Sequence, residues 1–193
     1  SDVCSSDLDR TAARLAGCVI AISALATYAN SLSCPMISDD GLAIVRNVTI
    51  RSLWPPWRPL LPPCDRSAVD RRPVANVSLA LNYAVSKLDV RSYHVVNVLF
   101  HAGAGLLLFG ILRRSLALPA LQPRFGRAAT PLALCVAVLW TVHPLHTSAV
   151  TYIVQRTEVL AGLFSFATLL CFIRGATSAR PTPWYATAVC ACA

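Results

Sequence analysis

Apolar and polar positions alternate along this chain on the scale of whole segments rather than single turns. No charged side chain occurs between Arg14 and Asp39. A second uncharged run lies between Arg91 and Arg113, and others follow Arg127 and Glu158. About 20 consecutive apolar residues cross the hydrocarbon core of a bilayer as a helix, so runs of this kind predict membrane spans. The expected spans are residues 15–32, 92–112, 130–145 and 150–173, with the start of a fifth at 184–193. Between the first two lies a polar stretch, residues 35–91, that holds about half of the chain's 13 prolines. Trp54-Pro55-Pro56-Trp57-Arg58-Pro59 within it cannot form a regular helix, because proline lacks the donor N–H and restricts the residue before it. The tryptophan pair suits either a headgroup interface or an ordinary aromatic turn. Further on, Val77, Leu81, Ala84, Val85 and Leu88 recur at helical spacing. That predicts an amphipathic helix lying along the membrane surface. The expected class is therefore an all-α membrane protein with four transmembrane helices, the start of a fifth, and a long outer loop.

Composition supports the membrane reading. The chain is 55% hydrophobic and 13% charged, against about 25% charged in soluble domains. It has a single Glu and a single Lys, so its net charge of +8 is almost entirely arginine. Arg10 and Arg14 precede the first span, Arg113, Arg114, Arg124 and Arg127 follow the second, and Arg174 and Arg180 follow the fourth. Positive residues concentrate on the cytoplasmic side, which puts residues 35–91 on the outer face. A nucleic-acid partner would need a basic face on a soluble fold and is set aside. No Cys-x-x-Cys pair occurs among the eight cysteines. Cys18, Cys135 and Cys171 lie in apolar runs, where cysteine behaves as a small hydrophobe. Cys34 and Cys64 bracket the front of the outer loop, as a disulfide in an oxidising compartment or as free thiols. Asn47-Val48-Thr49 and Asn76-Val77-Ser78 match the glycosylation sequon. Residues 1–8 resemble a translated sequencing-adapter remnant and are excluded from fold reasoning. The chain is expected to be a fragment truncated at both ends.

The expected topology gathers the unusual polar groups on one side: Asp39, Asp40, Arg71, Arg72, His94, His101, His143, His146, Arg156 and Glu158. His94, Asn97 and His101 share one helical face. Such groups in a membrane helix face a bundle interior or a wet cavity, or simply bond helix to helix. Carboxylates at a rim with arginine and histidine beneath suit transfer to a hydroxyl. An Asp takes the acceptor's proton, and fixed cations stabilise an anionic phosphate leaving group. Asp39 and Asp40 serve equally as a helix N-cap, and His143-Pro144 as a helix-end cap. As weak metal candidates, Asp39, Asp40, His143 and His146 carry donors that suit Mg²⁺ or Mn²⁺.

Five stretches carry a family resemblance. They are Ser38-Asp39-Asp40 through Asn47; Arg72-Pro73 leading to Leu81-Asn82-Tyr83; Tyr93-His94 through Asn97 to His101; His143-Pro144-Leu145-His146 through Val150; and Gln155-Arg156-Thr157-Glu158. In this order they resemble the N-terminal membrane region of the transmembrane and tetratricopeptide-repeat proteins, GT-C-type O-mannosyltransferases that use polyprenyl-phosphate donors. The Gln-Arg-Thr-Glu version looks bacterial. The resemblance implies a GT-C-like helical bundle over residues 9–193. It implies a polyprenyl-phosphate-sugar donor, a protein Ser or Thr hydroxyl as acceptor, and an active site on the outer face, periplasmic in a bacterial inner membrane or luminal in an endoplasmic reticulum membrane. It assigns Asp39 or Asp40 as the catalytic Asp, and Arg72, His94, His101, His143, His146, Arg156 and Glu158 to the donor-phosphate and substrate site. The family's repeats do not occur here, since no 34-residue period appears. The alternative is a non-catalytic membrane anchor for a missing repeat domain. A transporter is disfavoured because no inverted repeat is visible.

Overall fold

The structure is a computed structural model that describes residues 2–64 and 66–192, with side chains from Asp9 onward. The adapter-like reading of residues 1–8 lies outside the described side chains. The described chain is helical, without strands, and divides into two units. One comprises residues 1–27, 101–143 and 162–193, and the other residues 28–100 and 144–161.

The first unit is built from long apolar helices: α1 (Asp2–Tyr28), the C-terminal part of α4 (Val90–Leu116), α6 (Ala129–Thr141), most of α8 (Arg156–Thr177), and α9 (Thr182–Cys192). Small residues set their spacing. Ala16 and Ile20 of α1, Phe109 of α4, and Ala133 and Ala137 of α6 form its core. Gly103 and Gly110 of α4 face Leu163 and Leu170 of α8, so these two helices run parallel. Gly17 faces Leu106 while Gly105 touches Ile20, so α1 runs antiparallel to α4. The α6 helix also opposes α4, because His101 bonds Thr141 while Arg113 bonds Thr130. Outward, Leu15, Val19 and Ile22 of α1 and Leu132, Val136 and Leu139 of α6 are exposed. A helix with small residues inside and large apolar residues outside is built for lipid rather than water.

Close approach is tightest at Gly105. A Cβ there would sit 2.5 Å from Thr141 Oγ1 and 3.1 Å from Ile20 Cγ2. The threonine hydroxyl cannot retreat freely, since it donates to Ala137 O at 2.8 Å. Gly105→Val should cost about 1–3 kcal/mol by overpacking, read as a lowered melting temperature in detergent. An unchanged melt would mean the helices separate there without cost.

Among the described residues, three helical segments are long and apolar enough to cross a membrane: Asp9–Ser33, Val90–Leu116 and Ile153–Thr177. The expected third span differs. The α6 helix has 13 residues, or about 20 Å at 1.5 Å per residue, short of the roughly 30 Å core. The longer helical stretch that contains it, Gln122–Thr141, qualifies by length and hydropathy only together with Pro144–Thr151 beyond a break. Pro144 causes that break, because it cannot donate to the preceding turn and its ring disfavours helix at His143. The last long segment then starts at Ile153 rather than near Val150.

The second unit carries the polar stretch. Its core holds Ala43, Ile44, Ile50, Val69, Leu79, Ala80, Tyr93, Ile153 and Val154. The expected amphipathic helix is α3 (Pro73–Ser86), with proline in its first turn, a position where the missing N–H costs nothing. It buries Ala75, Leu79 and Ala80 against the core yet keeps large apolar residues outside. Leu81 and Val85 are exposed, as is Leu88 just beyond the helix, while Asn76 and Asn82 are buried. Cys34 and Cys64 are free thiols, both exposed.

Candidate active site

The two carboxylates that open the polar stretch have opposite fates. Ser38 sits at φ 45°, a left-handed conformation that a non-glycine residue adopts only when its surroundings enforce it. The next residue, Asp39, is exposed. Its backbone N–H donates to Tyr152 Oη at 2.9 Å, and its carbonyl accepts from Ala43 N at 2.9 Å. Held at the backbone, it presents its carboxylate to solvent. Asp40 is 1% exposed. Its Oδ2 accepts from Ile37 N at 3.0 Å and its Oδ1 from Val154 N at 3.0 Å. Burial pushes the Asp40 pKa up, against the pull of these two N–H groups and of nearby His94. Asp40 thus ties the polar stretch to the turn that leads into α8.

His94 is buried, with Nε2 3.1 Å from the Cys34 carbonyl. A carbonyl only accepts, so Nε2 carries the proton and Nδ1 is left as a buried acceptor without a partner. Arg156 is 1% exposed and makes four hydrogen bonds to neutral acceptors. Its Nε donates to Asn97 Oδ1 at 2.7 Å, Nη2 to Asn82 Oδ1 at 2.9 Å and to Tyr93 O at 3.0 Å, and Nη1 to Ser78 O at 3.3 Å. Asn97 in turn donates to Val150 O and Ile153 O. One guanidinium therefore joins α3, α4 and the start of α8.

Arg72 is an exposed cation next to the start of α8. Its Nη1 donates to Thr157 Oγ1 at 2.8 Å and lies 3.9 Å from Glu158 Oε1, with both side chains more than half exposed. Exposed pairs of this kind are worth less than about 1 kcal/mol, so Arg72 is free to change partners. Among the site residues expected from sequence, Asp39, Asp40, Arg72, His94, His146, Arg156 and Glu158 belong to this unit. His101 and His143 belong to the other. There His101 Nε2 meets Thr141 O at 2.9 Å and its ring stacks on Trp140, a helix-pairing role. Sequence reasoning did not single out Tyr152 and Thr157, which position Asp39 and Arg72. It placed Asn82 in a motif without a role, although a buried guanidinium needs such acceptors.

A groove of about 620 Å³ beside this network is lined by Leu81, Val85, Val95, Val96 and Phe100, with Asn82 and Arg91 among its polar groups. Among the described residues no three His, Cys, Asp or Glu side chains converge to hold a metal ion. Asp39, Asp40 and His146 belong to this unit and His143 to the other, and no step is routed through Mg²⁺ or Mn²⁺.

Both sequon asparagines are inside. Asn47 Nδ2 donates to Asn76 Oδ1 at 2.8 Å. Asn76 Nδ2 donates to Thr49 Oγ1 and to Pro59 O, both at 2.8 Å. A glycan on either would block the fold. Protein made in a secretory compartment should show no mobility shift at Asn47 or Asn76 on glycosidase treatment, and a shift lost in Asn76→Gln would contradict this.

No family model and no solved structure matches the chain. Among curated proteins it is similar to mouse (Mus musculus) Protein O-mannosyl-transferase TMTC2, 34% identical over 185 residues, covering 86% of this chain and 20% of the relative. It is 31% identical to mouse Protein O-mannosyl-transferase TMTC3 over 157 residues, 77% of this chain and 16% of the relative. Human (Homo sapiens) Protein O-mannosyl-transferase TMTC4 is 29% identical over 168 residues, 81% of this chain and 22% of the relative. The chain spans about one fifth of the length of these relatives. They are animal proteins, and they lend no support to the expected bacterial origin. Similarity over most of its length makes this chain a TMTC-like protein, a member of the transmembrane and tetratricopeptide-repeat family.

Proposed function

We propose that the full-length protein is a membrane glycosyltransferase. It moves a mannose-like sugar from a polyprenyl-phosphate donor to a Ser or Thr hydroxyl of a protein, on the exoplasmic face of the membrane. The observation that carries this reading is the split between Asp39 and Asp40. One carboxylate is locked by two backbone N–H groups, and its neighbour is held by the backbone with its oxygens free. An exposed carboxylate on a fixed backbone suits a general base that receives the acceptor hydroxyl's proton as the oxygen attacks the sugar. The bond from the sugar to the donor phosphate breaks, and the leaving phosphate takes the charge. Arg72, weakly paired to Glu158, is the cation suited to bind it. The apolar groove beside Asn82 suits the isoprenoid tail. His94, His101, His143, His146 and Arg156 act as supports or lie at the margin in this reading. Four crossings are supported by helix direction. Because α4 and α8 run parallel, the chain recrosses between them through α6 and its broken continuation.

The test is transfer from a labelled polyprenyl-phosphate-mannose donor in membranes that hold the full-length protein or Asp39→Asn. Loss of transfer with normal insertion supports the enzyme. Wild-type transfer in the variant removes Asp39 from the chemistry. No transfer by the wild type leaves a non-catalytic anchor as the better reading.

A further inference from the structure

The first unit holds a basic pocket that the proposed chemistry does not use. Its volume is about 430 Å³, and it is lined by Arg114, Arg174, Thr177, Ser178 and Trp184. Arg114 lies near the C-terminal end of the Val90–Leu116 segment and Arg174 near that of Ile153–Thr177. Two parallel helices thus deliver two arginines to the same level. The Arg174 guanidinium lies 4.7 Å from the Trp184 ring centroid, and its Nε is buried without a hydrogen-bond partner. Arg113 and Arg174 are both close enough to Arg114 to repel it. No Asp or Glu lines the pocket. The hydroxyls are already used by the chain, Thr177 Oγ1 donating to Ile173 O and Ser178 Oγ to Arg180 O. Recognition is therefore left to the guanidinium groups. Converging arginines with an unmet donor, and no carboxylate among the described residues that line the pocket, call for an anion with several acceptor oxygens, which is the chemistry of phosphate.

We propose that this pocket binds the phosphate headgroup of an anionic phospholipid. The lipid source follows from position. The pocket sits at the ends of two membrane-length helices, where headgroups lie. Trp184 and Tyr185 are of the residue types that settle at that level. Exposed Leu169 and Phe172 on α8 offer an apolar track for an acyl chain. Basic pockets between helix ends are a known means of holding acidic lipids. This inference rests on the membrane reading and not on the transfer reaction.

The test uses purified full-length protein in a neutral detergent, with its melting temperature followed as lipid is added. The probes are short-chain phosphatidylglycerol, short-chain phosphatidylcholine and inorganic phosphate. Phosphatidylglycerol should raise the melting temperature at concentrations where the other two do not. Arg114→Gln combined with Arg174→Gln should shift the half-maximal lipid concentration at least tenfold upward, while Arg180→Gln should leave it unchanged. Should the double variant fail to fold, Arg174→Lys keeps the charge and removes the fork, and a severalfold weaker response is expected. Equal response to both lipids, or full response in the Arg174 and double variants, would overturn the proposal. Stabilisation by inorganic phosphate at the same concentration would overturn the lipid source. Sugar transfer is not a readout here, so failure of this site and failure of the transferase reading are distinguishable.

Discussion

Arg156→Met should destabilise the fold by about 3–5 kcal/mol. The side chain it replaces makes four hydrogen bonds from a position with 1% exposure. Methionine fills much of the volume but leaves Asn82 Oδ1 and Asn97 Oδ1 without their donor, while Tyr93 O and Ser78 O keep only their helix bonds. Each buried acceptor left unmet costs about 1–3 kcal/mol before relaxation. A total on the order of 3–5 kcal/mol is typical when one side of a buried charged network is removed. That is a large share of the roughly 5–15 kcal/mol by which folded proteins are stable. Arg156→Lys should fall between, because an ammonium cannot fork to Asn97 and Asn82 together. The measurement is the folded, monodisperse fraction in detergent together with the melting temperature. A methionine variant that melts within about a degree of the wild type, where about 1 kcal/mol shifts a melt by several degrees, would show that this network contributes little.

The second large effect separates the adjacent carboxylates. Asp39→Asn should leave the fold intact, since the bonds at Asp39 are made by its backbone. Sugar transfer should fall by about 10²–10⁴-fold if the carboxylate is the base. Asp40→Asn should do the reverse. An amide has one acceptor oxygen and cannot take both the Ile37 and Val154 N–H groups. Stability should drop by about 1–3 kcal/mol, and transfer should fall only as far as the folded fraction does. The pH dependence has a definite sign. The Asp40 pKa is raised by burial, so the folded chain holds this proton more tightly than the unfolded chain. The stability supplied by that linkage is complete below the ordinary carboxylate range and is lost as pH rises through the raised value. The gap in melting temperature between wild type and Asp40→Asn should therefore narrow as pH rises through that range. A gap that widens would put Asp40 in an environment that favours its charge.

Part of this site was legible in the chain. Ser38-Asp39-Asp40 and Gln155-Arg156-Thr157-Glu158 were visible as polar islands beside apolar runs, and the structure brings both into one unit. Their division of labour was not legible. Adjacent aspartates look alike in sequence, and what separates them is Val154, 114 residues from Asp40. Arg156 read as a site cation because a charge within a span is expensive. The expense is met instead by Asn82 and Asn97, through contacts 74 and 59 residues away. Asn47 and Asn76 matched the glycosylation sequon, but a three-residue pattern carries no information on burial, and both are inside.

By itself the sequence determined the all-helical class, three of the four expected membrane spans, the amphipathic helix near residues 73–86 and the family. These follow from run length, helical period and residue type, which are local properties that sum along the chain. Tertiary structure decided which aspartate faces solvent and what saturates Arg156. It also decided where α6 breaks into a second short segment, and that Arg114 and Arg174 share a pocket. Those outcomes depend on which groups lose water together, and desolvation is set by partners distant in sequence.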